Sequence, residues 1–146
     1  MKIITATIEN LEQLVPLFDS YRVFYKQPSN PDAARNFLKE RFIKNDSAII
    51  LCLDASEKGL GFTQLYPSFS SVSMQRIYIL NDLFVASDAR KKGVGEALMK
   101  HAKQFAIDNG SKGLTLETAL DNPALTLYKK LGWKKDIHVN HYTWEV

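Results

Sequence analysis

A strand-like run, "QRIYILNDLFV" at residues 75–85, leads through "ASDA" into a basic, glycine-bearing loop. A helical pattern from about Val94 to Asp108 and a second strand-like run, "GLTLETA" at 113–119, then follow. This order constrains the fold more than any other feature of the chain. A strand, a crossover helix and a returning strand form a right-handed parallel unit, so "LNDLFV" and "LTLET" should lie side by side, their carboxyl ends opening on one crevice. Open α/β sheets bind ligands at such a crevice. Asn109 and Gly110 give the helix its stop.

The loop at that crevice is "DARKKGVGEALMKHA", residues 88–102. The first turn of any helix presents unpaired N–H groups and a partial positive charge, which makes it an anion site. Gly93 and Gly95 let backbone approach a ligand closely, and Arg90, Lys91 and Lys92 add mobile cations. The loop reads as a phosphate cradle, although the string taken alone would favour a solvated charged turn with a glycine hinge. A helix terminus contributes only about 0.3–1 kcal/mol, against about 8 kcal/mol for micromolar binding, so several amides, cations and an apolar contact must act together. That argues for a long ligand with phosphates at one end. There is no G-x-x-x-x-G-K-[ST] string, and a dinucleotide fingerprint needs Gly or Ala where Leu98 stands, so both nucleotide-binding loops are excluded.

The remaining elements surround this unit. "KIITAT" alternates like a strand. After Asn10, residues Leu11, Leu14, Val15, Phe18 and Tyr21 recur at helical spacing across a kink-prone Pro16. "DAARNFLKERFIKN" makes a second helix. "SAIILCLD", "GFTQLYPSF" and "QRIYILNDLFV" then predict an antiparallel meander, with turns around Lys58–Gly61 and Ser68–Ser73. A helix over "PALTLYKKLG" and a last strand, "HYTWEV", complete the chain.

With 146 residues, a 45% apolar and 24% charged composition and a net charge of +3, the chain reads as one globular domain spanning 1–146. That charge is too balanced to imply nucleic-acid binding. The single cysteine, Cys52, sits in the apolar run "AIILCL" with no disulfide partner, which suits a reducing cytoplasm. No apolar run is long enough for a secretory signal or a membrane span. His101, His138 and His141 lack metal-ligand spacing, so no metal is expected.

The string R-x-x-G-x-G between strand and helix, followed by "LTLETALDNPALTLYKKLGW", resembles the GNAT superfamily of N-acetyltransferases. The resemblance runs from Leu80 to Trp133, and "ILNDLFV" with "LYKKLGW" looks closest to its diamine and histone/polyamine acetyltransferase subgroup. It implies a GNAT-like acyl-CoA N-acyltransferase fold of the α/β (α+β) kind: a central mixed, mostly antiparallel sheet with flanking helices, holding acetyl-CoA in a splay between two parallel strands. In that comparison the cofactor-binding residues are Leu83, Phe84 and Val85, whose backbone would pair with the pantetheine arm, and the loop Arg90, Lys91, Lys92, Gly93, Val94, Gly95 and Glu96 around the pyrophosphate. Asn122 in "DNPA" would steady the arm from the other side.

Acetyl transfer to an amine needs a neutral amine, a stabilised oxyanion and a proton for the leaving thiolate. The resemblance assigns the general acid to Tyr128; the plainer reading is a helix aromatic buried with one hydrogen bond. Asn81 and Asp82 interrupt an apolar strand, where an unpaired polar pair would be costly. Asp82 is therefore a candidate to take the amine's proton or attract a cationic acceptor. Glu117 on the adjacent strand is its rival, and either carboxylate could instead serve a nearby loop. Direct attack needs no covalent intermediate, so Cys52 is left to the core. Phe24, Tyr25, Tyr66 and Phe69 are candidate pocket walls. The reading is a transferase acting on a small-molecule or protein amine, polyamine-like or lysine-like, with no nucleic-acid or membrane partner and a possible homodimer through the last strand. A non-catalytic acyl-CoA-binding regulator is the alternative.

Overall fold

The computed structural model describes residues 1–146. Five strands form one sheet: β1 (Lys2–Thr5), β2 (Ala48–Leu53), β3 (Gly59–Ser70), β4 (Gln75–Val85) and β5 (Leu114–Thr115), in the order β1-β2-β3-β4-β5. The first four make an antiparallel meander, whereas β5 runs parallel to β4, as a crossover through a helix requires. That helix is α3 (Val94–Asp108). Between β1 and β2 come α1 (Leu11–Phe24) and α2 (Pro31–Lys44), and after β5 comes the short α4 (Leu125–Lys130). The longest helix is 15 residues, and no helix is long and apolar enough to cross a membrane.

Both faces of the sheet are covered. On one, α1 and α2 bury Leu14, Leu17, Phe18 and Leu38 against Ile49, Leu51, Phe62 and Phe84. On the other, Val94, Leu98, Met99 and Ala102 of α3 pack with Ile50, Cys52, Leu65, Leu80 and Tyr128. This is why "AIILCL" in β2 is apolar without alternation: a strand between two layers buries both sets of side chains.

Two local departures from the sequence reading matter for the site. β3 begins at Gly59, two residues ahead of the expected strand at Gly61, so Gly59 belongs to the strand rather than to the preceding turn. A Cβ on Gly61 would stand 2.6 Å from the Phe84 carbonyl oxygen, so glycine here serves close strand packing. The second departure is a bulge: Gln64 pairs with Asp82 while Leu65 pairs with Leu80, leaving Asn81 as an extra residue in β4. A strand alternates strictly, so Tyr78, Leu80, Asp82 and Phe84 should share a face. Instead Tyr78 and Leu80 belong to the α3 cluster and Phe84 to the α1 cluster. The bulge inverts the parity, and Asp82 thereby leaves the apolar α3 layer for the α1 face.

The parallel pairing of β4 and β5 covers only Tyr78 with Leu114 and Ile79 with Thr115. The expected alignment of "LNDLFV" with "LTLET" therefore holds in direction and fails in extent, since the strands part before Asn81. The strand expected at "HYTWEV" does not form. Residues 134–146 are all exposed, including Tyr142 and Trp144 at 86% and 84%. A two-residue β5 offers too few backbone groups to seat another strand, and the tail's contact with this edge is a His141–Glu117 pair at 3.2 Å.

Candidate functional site

Beyond Ile79 the edge of β4 that faces β5 has no strand partner, so Asn81–Val85 lines an open splay. Leu83 and Val85 lean into the α3 layer and Phe84 into the α1 layer, which fixes the backbone between them. A turn of 3-10 helix, Ser87–Ala89, anchored by buried Ala89, carries the chain into the basic loop.

In that loop Lys91 has φ 60° and Gly93 φ 81°. Gly93 precedes α3 without any side-chain cap, and a Cβ there would meet nothing within 4 Å, so its requirement is the left-handed backbone and the free space above it. The i→i−4 ladder of α3 starts with the Ala97 N–H bonded to the Gly93 carbonyl at 3.0 Å. The amides of Val94, Gly95 and Glu96 precede it and have no place in the i→i−4 ladder. Gly95 has another role: its Cβ would press on Leu127 at 3.3 Å, so its bareness lets α4 pack on α3.

The charges around these amides are arranged for an anion. Asp88 is engaged by Lys58 at 2.9 Å, which holds its carboxyl below the usual range. Arg90, Lys91 and Lys92 are exposed, and Arg90 Nε donates to the Val85 carbonyl at 3.2 Å. Glu96 would oppose an anion at the helix mouth, but it lies between Lys130 at 2.6 Å and Lys100 at 2.9 Å. Hydrogen bonds from these two lysines, Lys130 first, bring its carboxyl down to about 2.

Tyr128 on α4 is 9% exposed, with its ring 6.2 Å from that of Trp133. Burial pushes its phenol up, the neighbouring Tyr25 adds to this, and Thr118 offsets part of it. Thr118 Oγ1 is buried with no hydrogen bond of ordinary geometry, so it acts on the phenol by proximity. The phenol keeps its proton across the neutral range. Asn122 Oδ1 accepts from the Ala124 N–H at 2.9 Å, closing a tight turn just before α4.

Asp82 is 3% exposed and sits in a dense polar cluster. Gln64 Nε2 donates to Oδ2 at 2.6 Å and Asn81 Nδ2 to Oδ1 at 2.9 Å. The Thr63 hydroxyl donates to its backbone carbonyl at 2.7 Å. The Tyr21 phenol faces the carboxylate from α1; burial first and then this charge push Tyr21 far above its ordinary value, while Tyr66, also chiefly through burial, is pushed up to about 12. No lysine or arginine forms a salt bridge with Asp82, unlike Asp88 and Glu96. Tyr21 stacks edge-on with Tyr25 at 5.0 Å, so Tyr25 stands between the Asp82 cluster and Tyr128.

Glu117, the rival carboxylate, is 78% exposed at its side chain and has His141 as its partner. The structure thus gathers Tyr128, Asp82, Leu83, Phe84, Val85 and the 90–96 loop around one splay, with Glu117 on its outer side. Sequence reasoning passed over Tyr21, taken only for core periodicity, and the pair Thr63–Gln64. The available signal was a polar dipeptide interrupting an apolar strand, as Asn81–Asp82 does.

A cavity of about 470 Å³ lies elsewhere, between α1 and the 84–90 segment. It includes Gln13, Lys58, Phe84, Asp88 and Arg90 but neither Tyr128 nor Asp82. Two of its polar groups are already paired, Gln13 to the Glu57 carbonyl and Lys58 to Asp88. The splay is an open groove, which the chemistry identifies better than enclosed volume does.

Comparison with known proteins agrees with this geometry. The model of the acetyltransferase (GNAT) family matches residues 12–133. A Bacillus subtilis (strain 168) protein, the uncharacterized N-acetyltransferase YhfO, is 47% identical over 143 residues, covering 97% of this chain and 95% of its own. A probable acetyltransferase of Haemophilus influenzae is 38% identical over 119 residues, covering 82% of each chain. The crystal structure of a probable acetyltransferase superposes with a TM-score of 0.94 at 41% identity, over 100% of this chain and 98% of its own.

Proposed function

The chain belongs to the GNAT family of acetyltransferases, and we propose that it transfers the acetyl group of acetyl-CoA to a cationic primary amine, polyamine-like or lysine-like, by direct attack. One observation supports this reading above the others: the splayed end of β4 holds a buried carboxylate with no cation beside it and opens on an uncapped, lysine-flanked helix terminus. Acetyl-CoA, when bound, supplies the activated acetyl thioester.

The residues present fit that group. Amides of Val94, Gly95 and Glu96, free of any side-chain cap, suit a diphosphate, with Arg90, Lys91 and Lys92 as flanking cations. The unpaired edge at Leu83, Phe84 and Val85 suits an extended arm bearing amides, held as an added strand is held. Asn122 retains a free side-chain N–H₂ for the same arm.

An amine arrives at neutral pH as an ammonium and must lose a proton before it attacks. Asp82 is the proposed acceptor of that proton, directly or through Tyr21, whose phenol faces it. A carboxylate offers about four lone-pair sites, and Gln64 and Asn81 donate to only part of them. As the new C–N bond forms and the C–S bond breaks, the proton held at Tyr128 Oη is the one available to the leaving sulfur. Tyr21, Tyr25 and Tyr66 line the approach and favour a cation over a neutral amine. With Cys52 buried and reduced, the cytoplasm is the proposed setting.

The test is release of free coenzyme A thiol on a panel of polyamines, lysine, aminoglycosides and neutral aromatic amines, with wild type and Asp82→Asn. The expected result is turnover on cationic alkylamines, reduced at least about tenfold in kcat/KM by Asp82→Asn. Saturable acetyl-CoA binding with no turnover on any amine would instead support a regulatory acyl-CoA-binding role.

A further inference from the structure

At the bulge, two polar dipeptides from neighbouring strands answer one another across the sheet. Thr63 points to the α3 face and its hydroxyl takes the Asp82 backbone carbonyl at 2.7 Å, while Gln64 points to the α1 face and takes the Asp82 carboxylate at 2.6 Å. Both Thr63 and Gln64 are 0% exposed. One residue is thereby gripped from both faces of the sheet. A buried side-chain amide in a strand between Thr63 and Leu65 contributes nothing to apolar packing, and a leucine would fill the same volume without needing partners.

The direction of the Gln64 amide is not arbitrary. Its two ends are a donor and an acceptor of nearly equal size; a carboxylate only accepts, so Asp82 takes the N–H₂ end and the oxygen is left to face away from it. Ser47, beside the start of β2, satisfies that oxygen: its hydroxyl donates to Gln64 Oε1 at 2.9 Å and braces the amide. The row Ser47–Gln64–Asp82 therefore runs with one polarity from the β2 side of the sheet to the splay, each group donating to the next.

We propose that Gln64 is a positioning residue for acetyl transfer: braced by Ser47, it presents a donor that holds the Asp82 carboxylate in one orientation for the incoming amine. This rests on the reading of Asp82 as the group that meets the acceptor. Asp82 is faced by the Tyr21 phenol from α1, by Tyr66 and Gln64 from β3 and by Asn81 on its own strand, with the Arg41–Asp46 pair farther off beyond Tyr66. Among the hydrogen bonds to its side chain, the one from Gln64 is the shortest and comes from a fully buried donor.

The decisive experiment needs no acceptor. The side-chain carboxyl of Asp82 is followed by 13C NMR through a pH titration of the whole unliganded protein, in wild type, Gln64→Glu and Ser47→Ala. Gln64→Glu sets a second carboxylate where the donor stood, so the Asp82 midpoint should rise by at least about one pH unit over wild type, because two adjacent carboxylates share a proton. Ser47→Ala, at a half-buried position that tolerates a small residue, should raise it by a smaller but resolved amount. Should Gln64→Glu fail to fold, the Ser47→Ala shift decides alone. An unmoved midpoint in a folded Gln64→Glu, or in Ser47→Ala if that variant alone folds, overturns the proposal. The Asp82→Asn arm of the amine panel is independent of this titration: if Asp82→Asn leaves kcat/KM intact, the reading of Asp82 fails with everything resting on it. If it lowers kcat/KM while the midpoint stays put, only the role of Gln64 falls.

Discussion

Replacing Tyr128 with Phe removes one oxygen from the centre of the splay and should separate chemistry from stability. In the structure the phenol forms no hydrogen bond of ordinary geometry, and its neighbour Thr118 Oγ1 is buried without a partner. Deleting the hydroxyl therefore breaks no formed bond, and the stability cost should stay below about 1 kcal/mol, or roughly 2–4 °C in a domain of this size. A general acid supplies about 10²–10⁴ in rate, so kcat should fall at least about 100-fold, equivalent to about 2.7 kcal/mol of barrier, with acetyl-CoA affinity nearly unchanged. The assay is thiol release under saturating acetyl-CoA, with a thermal melt and calorimetric titration as controls. The pH dependence sharpens it. Burial first, then Tyr25, raises the phenol above its ordinary 10.0, so it remains a donor throughout the neutral range and gives no falling limb below that pH. Turnover within about twofold of wild type across that range, or a basic limb near neutrality that vanishes in Tyr128→Phe, would refute the assignment.

Three further outcomes follow from particular contacts. Gly61→Ala drives a Cβ to 2.6 Å from the Phe84 carbonyl, and the strands must shift; a thermal melt should show a loss of about 1–3 kcal/mol, and an unchanged melt would contradict the packing. Gly93→Val places a β-branched residue at φ 81°, costing about 1–2 kcal/mol, and fills the space over the helix mouth, so coenzyme A affinity should fall at least about tenfold in calorimetry of the folded variant. Asp19 holds the α1–α2 connection through the Ser29 hydroxyl at 2.6 Å and the Asn30 N–H at 2.7 Å, and the Ser29 bond leads in lowering its carboxyl below 3.8. A depressed folded-state value means that this stabilisation is complete above the ordinary Asp range and disappears as pH falls through the folded-state value. The Tm advantage of wild type over Asp19→Asn should be constant from about pH 5 upward and narrow below about pH 4; a gap that widens in acid would contradict it.

The parallel unit was legible because its signals are local: a strand, a glycine-bearing basic turn and an amphipathic helix with Asn109–Gly110 at its end each follow from neighbouring residues. The meander and both early helices were legible for the same reason. Less was visible wherever one strand answers another. The bulge at Asn81 depends on how β3 meets β4, and without it alternation puts Asp82 on the wrong face. Gly59 reads as a turn residue because glycine punctuates turns, whereas here it lies in β3 with α1 pressing on it. "HYTWEV" has a strand's composition, but composition does not say whether a partner edge is long enough to receive it. At the site, cradle and carboxylate were readable as breaks in apolar pattern, while Tyr21 was hidden because its spacing matches the helix core. Gln64 was hidden because its meaning lies in Ser47 and Asp82, 17 and 18 residues away.

The central claim is that the end of β4 and the mouth of α3 form one site for a long ligand with a diphosphate at its end. An amide-resolved NMR titration of the purified protein with coenzyme A tests it most directly. The account predicts saturable shifts at Leu83, Val85, Gly93, Gly95 and Glu96, with the tail beyond Lys134 little affected. Saturable binding that moves other amides while these five stay fixed, or no binding at millimolar ligand, would contradict it.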